Sequence, residues 1–156
     1  MDAIIMPSTK SILKKLTVDF PQFRFAKGDD FHWSPSDNTI FYADSPTGYS
    51  FLFHELSHAL LGHSNYDKDI ELITIERQAW DLAVSIAKQY NLEIDQETVE
   101  SNLDSYRDWM HTRSICPDCS TIGVETSKNI YLCPACNNQW RVNEARLCAL
   151  RRYRQK

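Results

Sequence analysis

Residues 51–61 read FLFHELSHALL, and this stretch predicts a buried helix that is interrupted by three ionisable side chains. His54 and His58 are four residues apart, so an α-helix would project both imidazoles from one face, one turn apart. That spacing places two nitrogen ligands near one tetrahedral metal ion. Burying two His and one Glu without partners would cost free energy, and a metal site removes that cost. We therefore interpret the stretch as a zinc site rather than as a helix with chance polar residues.

Glu55 follows the first candidate ligand directly and would lie beside the open position of the metal. A carboxylate in that place can take a proton from the attacking water and pass it to the leaving amine. We therefore expect Glu55 to be the catalytic base of a zinc metallopeptidase.

A third protein ligand would leave the fourth position of a catalytic zinc for water. Glu76 lies 18 residues after His58, on the next expected helix, which could return a carboxylate to the metal if the two helices pack antiparallel. His63 is an alternative, although its spacing of five residues after His58 does not fit the metzincin pattern. Further alternatives are Glu71, Asp81 and His111.

Two CxxC pairs predict a second metal site. The cysteines are Cys116 and Cys119, then, after 13 intervening residues, Cys133 and Cys136. Each pair can turn two thiolates towards one ion, and two pairs close a tetrahedral site with no open position. That zinc would be structural and would supply folding energy to a small module. The fifth cysteine, Cys148, is expected to be a small buried apolar residue.

The cysteine spacing also bears on the compartment, because disulfides are disfavoured in a reducing cytosol and paired CxxC units suit metal better. No apolar run approaches the roughly 20 residues that span a bilayer. We therefore expect a cytoplasmic protein without a membrane partner.

The remaining pattern predicts an α+β fold. Aromatic and aliphatic residues alternate at period two between residues 23 and 42, which indicates a small antiparallel sheet of about three strands. Helices are expected from residue 8 to about residue 20, over 49–61, over 69–90 and from about residue 95. The tail from about residue 143 is expected to form a basic helix.

The charge distribution divides the chain into two predicted domains. Residues 1–113 carry 10 Lys and Arg against 18 Asp and Glu, whereas residues 114–156 carry seven against three. We expect a metallopeptidase domain over 1–113 and a four-cysteine zinc ribbon with a basic C-terminal helix over 114–156. The basic tail could bind nucleic acid or an acidic partner. Alternatively, it is a solvated basic helix face that rests on the acidic N-terminal domain. Tyr131 and Trp140 would either stack on bases or pack the ribbon's core.

Residues 54–63, HELSHALLGH, resemble the active-site helix of the ImmA/IrrE family of bacterial and phage metallopeptidases. Residues 76–80, ERQAW, are similar to the Glu-x-x-Ala segment on that family's next helix. The resemblance covers about residues 31–90. It implies a minimal zincin fold with zinc held by His54, His58 and Glu76, and with Glu55 as general base. Members of the family are associated with cleaving transcriptional repressors, often of the helix-turn-helix type.

Two features depart from that family. Many zincins with a Glu ligand place an Asp four residues after it, where this chain has Trp80, and we find no helix-turn-helix segment. The combination of HExxH with a C-terminal zinc ribbon is instead similar in architecture to the SprT-like group. Those proteins act on protein bound to DNA and use a downstream His as third ligand, for which His111 is the candidate here.

These observations predict a zinc-dependent endopeptidase of the gluzincin kind, with one catalytic and one structural zinc. Its substrate would be a specific intracellular protein, such as a transcriptional repressor or a DNA-associated protein. The alternative is a ribbon that binds nucleic acid or protein and stands on a catalytically silent zincin scaffold. The presence of Glu55, the expected catalytic base, argues against a catalytically inactive scaffold.

Overall fold

The structure, a computed structural model, describes residues 8–45, 48–144 and 150–155 of the 156-residue chain. Its helices are α1 (Thr9–Asp19), α2 (Tyr49–Leu60), α3 (Asp69–Gln89) and α4 (Gln96–Ser114). Its strands are β1 (Arg24–Lys27), β2 (His32–Ser34), β3 (Thr39–Tyr42), β4 (Val124–Ser127), β5 (Ile130–Leu132), β6 (Gln139–Val142) and β7 (Arg152–Arg154). The predicted α+β class is confirmed. Among the described residues, none of the helices has both the length and the apolar character that crossing a bilayer requires.

The contacts group the chain into two compact units. The first comprises residues 1–64 and 78–95, and the second comprises residues 65–77 and 96–156. Helix α3 therefore contributes its first part to the second unit and the rest to the first. The contacts place α4 with the cysteine module, and the sequence-derived boundary between residues 113 and 114 stays a prediction.

The sheet of the first unit is mixed, so the prediction of an antiparallel sheet was wrong in one pairing. The strand order is β1-β3-β2, with β2 antiparallel and β1 parallel to β3. A tight turn ending at Asn38, whose φ is +50°, makes β2 and β3 a hairpin. β3 then inserts between β2 and β1. Period-two alternation indicates which faces are apolar, but it carries no information on the direction in which strands pair.

Helix α2 packs against β2 and β3 of this sheet. Its fully buried apolar side chains are Leu52, Phe53 and Leu56. Spacings of three and four residues place Leu52 and Phe53 beside Leu56 on the helix surface. Burial of this face is the reason that α2 forms where the sequence predicts it, and it fixes which side chains of α2 lie in the interior.

The sheet of the second unit is antiparallel throughout, in the order β4-β5-β6-β7. Tyr131 and Trp140 are 3% and 0% exposed, and their rings stack with centroids 5.7 Å apart. They form one cluster with Cys116, Cys133 and Val142. Both aromatic residues therefore pack the small core, which is the second of the two alternatives that the sequence left open.

A buried ion pair links three elements of the second unit. Asp69 begins α3, Arg113 lies near the end of α4, and each is about 1% exposed. The Nε of Arg113 donates to Asp69 Oδ2 at 2.8 Å, and the Tyr131 hydroxyl donates to the same oxygen at 2.5 Å. Arg113 also donates to Asn129 Oδ1 at 2.6 Å. A carboxylate and a guanidinium can be buried together because each has a charged partner and further hydrogen bonds.

The predicted basic C-terminal helix is wrong over Arg152–Arg154, which form strand β7 beside β6. Arg152 donates to the carbonyl of Ile115, and Arg154 forms an ion pair with Asp118. An edge strand such as β6 offers unpaired backbone groups, and pairing with them outweighs the weak local preference of this short segment. Residues 145–149, with Cys148 and Arg146, and Lys156 lie outside the described residues.

Candidate metal centres

The two histidines of α2 converge as their spacing predicts. His54 and His58 are 3% and 8% exposed, and their Nε2 atoms lie 3.1 Å apart. Two nitrogens bound tetrahedrally to zinc at about 2.05 Å would lie about 3.3 Å apart. The observed separation therefore fits two ligands of one zinc ion.

Glu55 completes this group, since ligand atoms of His54, Glu55 and His58 all lie within 4.8 Å of one another. The Glu55 side chain is half-buried. Its Oε2 accepts a hydrogen bond of 2.8 Å from the backbone N–H of Trp33. Strand β2 is at the edge of its sheet, so the N–H that points away from β3 is available to the carboxylate.

The His54 ring is fixed by aromatic stacking. Its centroid lies 4.1 Å from that of Trp80, with 24° between the ring planes. Trp80 is fully buried and in turn makes an edge contact with Phe51. Trp80 therefore presents a flat apolar surface that sets the orientation of the imidazole.

The end of α2 brings a third histidine to the site. Gly62 adopts φ = +67°, its N–H donates to the carbonyl of Ala59, and the N–H of His63 donates to the carbonyl of His58. This is the Schellman arrangement, for which glycine is favoured because a left-handed conformation strains other residues. The His63 ring then lies with its Nδ1 3.0 Å from His58 Nδ1.

The His63 ring does not face the point at which the Nε2 atoms of His54 and His58 converge. Its Nδ1 faces Nδ1 of His58, on the side of the His58 ring away from the Nε2 pair. Its Nε2 lies 3.1 Å from Gln78 Oε1, and its carbonyl accepts the indole N–H of Trp33 at 3.0 Å. The sequence identified His63 only as an alternative third ligand. No pattern in it pointed to Trp33 or Gln78, because both reach the site through tertiary contacts.

The candidates for the third ligand differ in burial. Glu76 is 5% exposed and lies in the part of α3 that belongs to the second unit. Glu71, Asp81 and His111 are exposed. Glu71 accepts the backbone N–H of Asp67 at 2.9 Å, which is a helix-capping contact. The assignment of Glu76 to the metal stays a prediction.

The four cysteines form the second candidate centre. Cys116 and Cys136 have sulfurs 3.6 Å apart, and the sulfurs of Cys119 and Cys133 are 3.4 Å apart. Tetrahedral zinc–thiolate bonds of about 2.3 Å would give about 3.8 Å, whereas a disulfide would need about 2.05 Å. The spacing therefore fits a tetrathiolate metal site and does not fit disulfides.

The two CxxC turns repeat one backbone geometry. In the first, the N–H of Ser120 donates to the carbonyl of Cys116 at 3.0 Å, and Ser120 has φ = +64°. In the second, the N–H of Asn137 donates to the carbonyl of Cys133 at 3.0 Å, and Asn137 has φ = +63°. In each pair this turn directs both sulfurs to the same side.

The pKa shifts of the cysteine thiols also favour a bound cation. Burial raises the pKa of the Cys116 thiol, but N–H donors of Cys119 and Asp118 and the amide of Asn138 lower it to about 6. For Cys136 the N–H of Asn138 lowers the pKa, whereas burial and hydrogen bonds with the other sulfurs raise it to about 12. Four adjacent thiols cannot all ionise without a compensating positive charge, and a divalent metal supplies that charge.

No protein-family model, curated protein or solved structure matches this chain.

Proposed function

We propose that this protein is a zinc-dependent endopeptidase that hydrolyses peptide bonds of a specific intracellular protein in the cytoplasm. The observation that carries the proposal is the convergence of the His54 and His58 Nε2 atoms, 3.1 Å apart, with the Glu55 carboxylate in the same group. Two buried imidazoles that present lone pairs to one point, beside a carboxylate, are the donor set of a zinc hydrolase.

The chemistry divides between the metal and the side chains. Zinc bound there would polarise the scissile carbonyl and acidify the attacking water. Glu55 accepts the proton of that water and delivers it to the leaving amine. The N–H of Trp33 donates to Oε2 of this carboxylate and orients it.

Glu76 is the proposed third ligand. It is buried, and it precedes Trp80 by one helical turn on the same face of α3. Trp80 is the residue whose ring stacks on His54. With Glu76 as third ligand the site would be of the His-His-Glu type, with one position left for water.

The four-cysteine centre is proposed to hold a structural zinc, because four thiolates close its coordination. The second unit that contains this centre would recognise the substrate. The resemblance to ImmA/IrrE peptidases points to a transcriptional repressor, and the basic charge of residues 114–156 points to a protein that is associated with DNA.

The test combines metal content with cleavage. Purified wild type should bind two zinc ions per chain, and Glu55→Gln should keep both while it loses cleavage of helix-turn-helix repressors, offered with and without operator DNA. Glu71→Gln is the matched control, since Glu71 is exposed and only caps α3, and it should cleave as wild type does. Cleavage by Glu55→Gln at the wild-type rate would show that the base assignment is wrong.

Metal stoichiometry separates this proposal from a binding protein on a silent scaffold. Cys119→Ser should lose the structural zinc, and Cys148→Ser, which changes the cysteine outside both CxxC pairs, should not. If wild type bound a single zinc ion that Cys119→Ser abolished, the ribbon would be the sole metal site and the peptidase proposal would fail.

A further inference from the structure

A line of three polar side chains leads away from the proposed metal site. His58 Nδ1 lies 3.0 Å from His63 Nδ1, and His63 Nε2 lies 3.1 Å from Gln78 Oε1. His63 is half-buried and Gln78 is exposed, so the line runs from the interior towards the surface. All three residues belong to the first unit.

The hydrogen atoms along this line have one consistent arrangement when His58 is a metal ligand. A ligating imidazole is neutral and gives its lone pair to the metal, so the proton of His58 is on Nδ1 once Nε2 faces the metal. That N–H then donates to His63 Nδ1, which must carry the lone pair. The proton of His63 is consequently on Nε2, and it donates to Gln78 Oε1, an acceptor.

The backbone holds the second ring in place independently of this line. The left-handed Gly62 turns the chain so that His63 follows directly above the last turn of α2. The indole N–H of Trp33 then binds the His63 carbonyl at 3.0 Å. His63 is thus fixed through its backbone on one side and through Gln78 on the other, as a group that orients another side chain requires.

We propose that His63 and Gln78 are positioning residues, which fix the tautomer and the ring orientation of His58 for metal binding. The inference deepens the proposed function and rests on it. Metal-binding histidines usually donate their second N–H to a carboxylate or a carbonyl, and loss of such a partner lowers metal affinity by roughly 10- to 100-fold. Here a second imidazole, itself oriented by an amide, takes that role.

The first experiment compares zinc affinity in three proteins by competition with a chelator. His63→Leu keeps a side chain of similar bulk without an acceptor, and it should weaken the histidine site by roughly 10- to 100-fold. His63→Asn places an amide oxygen near the position of Nδ1 and should retain most of the affinity. The four-cysteine centre is an internal reference that neither substitution should change, which separates a local effect from unfolding.

The second experiment reads the tautomers directly by nitrogen-15 NMR of the imidazoles in the zinc-loaded protein. Wild type should show the Nδ1–H form of His58 and the Nε2–H form of His63. In the metal-free protein, where no zinc fixes the proton of His58, Gln78→Leu should produce a mixture of His63 tautomers, whereas wild type and Gln78→Glu, which keep an acceptor, should retain the Nε2–H form. Gln89→Leu is the matched control, because Gln89 is exposed near the end of the same helix.

The outcomes distinguish this inference from the proposed function. If wild type binds a second zinc and His63→Leu binds it equally tightly, or if His63→Asn loses as much affinity as His63→Leu, the positioning role is overturned alone. A single Nε2–H form of His63 in the metal-free Gln78→Leu protein overturns the role of Gln78. If wild type binds no zinc beyond the four-cysteine centre, the proposed function fails and this inference fails with it.

Discussion

The backbone N–H of Trp33 donates to Glu55 Oε2 at 2.8 Å, so the edge of the small sheet orients the proposed catalytic base on the neighbouring helix. The strand that supplies this donor is β2, and the indole of the same residue reaches the His63 carbonyl. One residue of β2 therefore contacts both the base and the turn that ends α2.

Replacing Trp33 by proline removes both the backbone N–H and the indole. Replacing it by alanine removes the indole alone, so the two variants differ in the N–H. β2 is an edge strand, and this N–H points away from β3, so proline costs no ladder hydrogen bond. A hydrogen bond to a charged group contributes about 1.5–3 kcal/mol, so kcat/KM for Trp33→Pro should fall roughly 10- to 100-fold below that of Trp33→Ala. Equal kinetics of the two variants would show that the N–H does not orient Glu55.

The third ligand can be identified by comparing two glutamates of α3. Glu76→Ala should lose the zinc ion that depends on His54 and keep the zinc of the four-cysteine centre, because a site with two protein ligands binds zinc weakly. Glu71→Ala should keep both ions, since its carboxylate is exposed and accepts the N–H of Asp67. Zinc content after gel filtration measures this difference. Two zinc ions in Glu76→Ala would assign the third position to another residue.

The buried ion pair of the second unit should dominate the stability of that unit. Arg113→Met leaves Asp69 buried without its cation and should lower the free energy of unfolding by about 3–5 kcal/mol in a urea titration. Arg107→Met is the control on the same helix. Arg107 pairs with Glu100 and Asp104 at the solvent-accessible surface, so the loss should be clearly smaller than that of Arg113→Met. Similar losses in the two variants would contradict this account.

Tyr90 should make stability fall at alkaline pH. Burial and a 2.5 Å hydrogen bond to Asp19 raise the pKa of the Tyr90 hydroxyl well above its usual value of about 10. Since the folded pKa is raised, the stabilisation is complete below pH 10 and is lost as the pH rises above it, where the unfolded state ionises first. The stability advantage of wild type over Tyr90→Phe, measured by denaturation, should therefore shrink above about pH 10. An advantage that is constant with pH would contradict the shift.

The convergence of the two histidines of α2 was predictable from the sequence because its geometry is local. Spacing of four residues puts His54 and His58 on one helix face whatever the rest of the fold is, and Gly62 marks the C-terminal turn by its backbone freedom. The CxxC pairs are likewise short enough for the turn itself to bring Cys116 to Cys119. The grouping of donor atoms on α2 and within each CxxC pair was thus predictable before any tertiary contact was known.

Contacts between distant segments decided the remainder. Nothing in the sequence specifies that β1 pairs parallel to β3, or that Arg152–Arg154 add a strand to β6, because strand pairing depends on which edges meet in space. For the same reason Trp33 and Gln78 carried no recognisable signal. Each reaches the site across 15 residues or more, through a hydrogen bond that forms only once sheet and helices have packed.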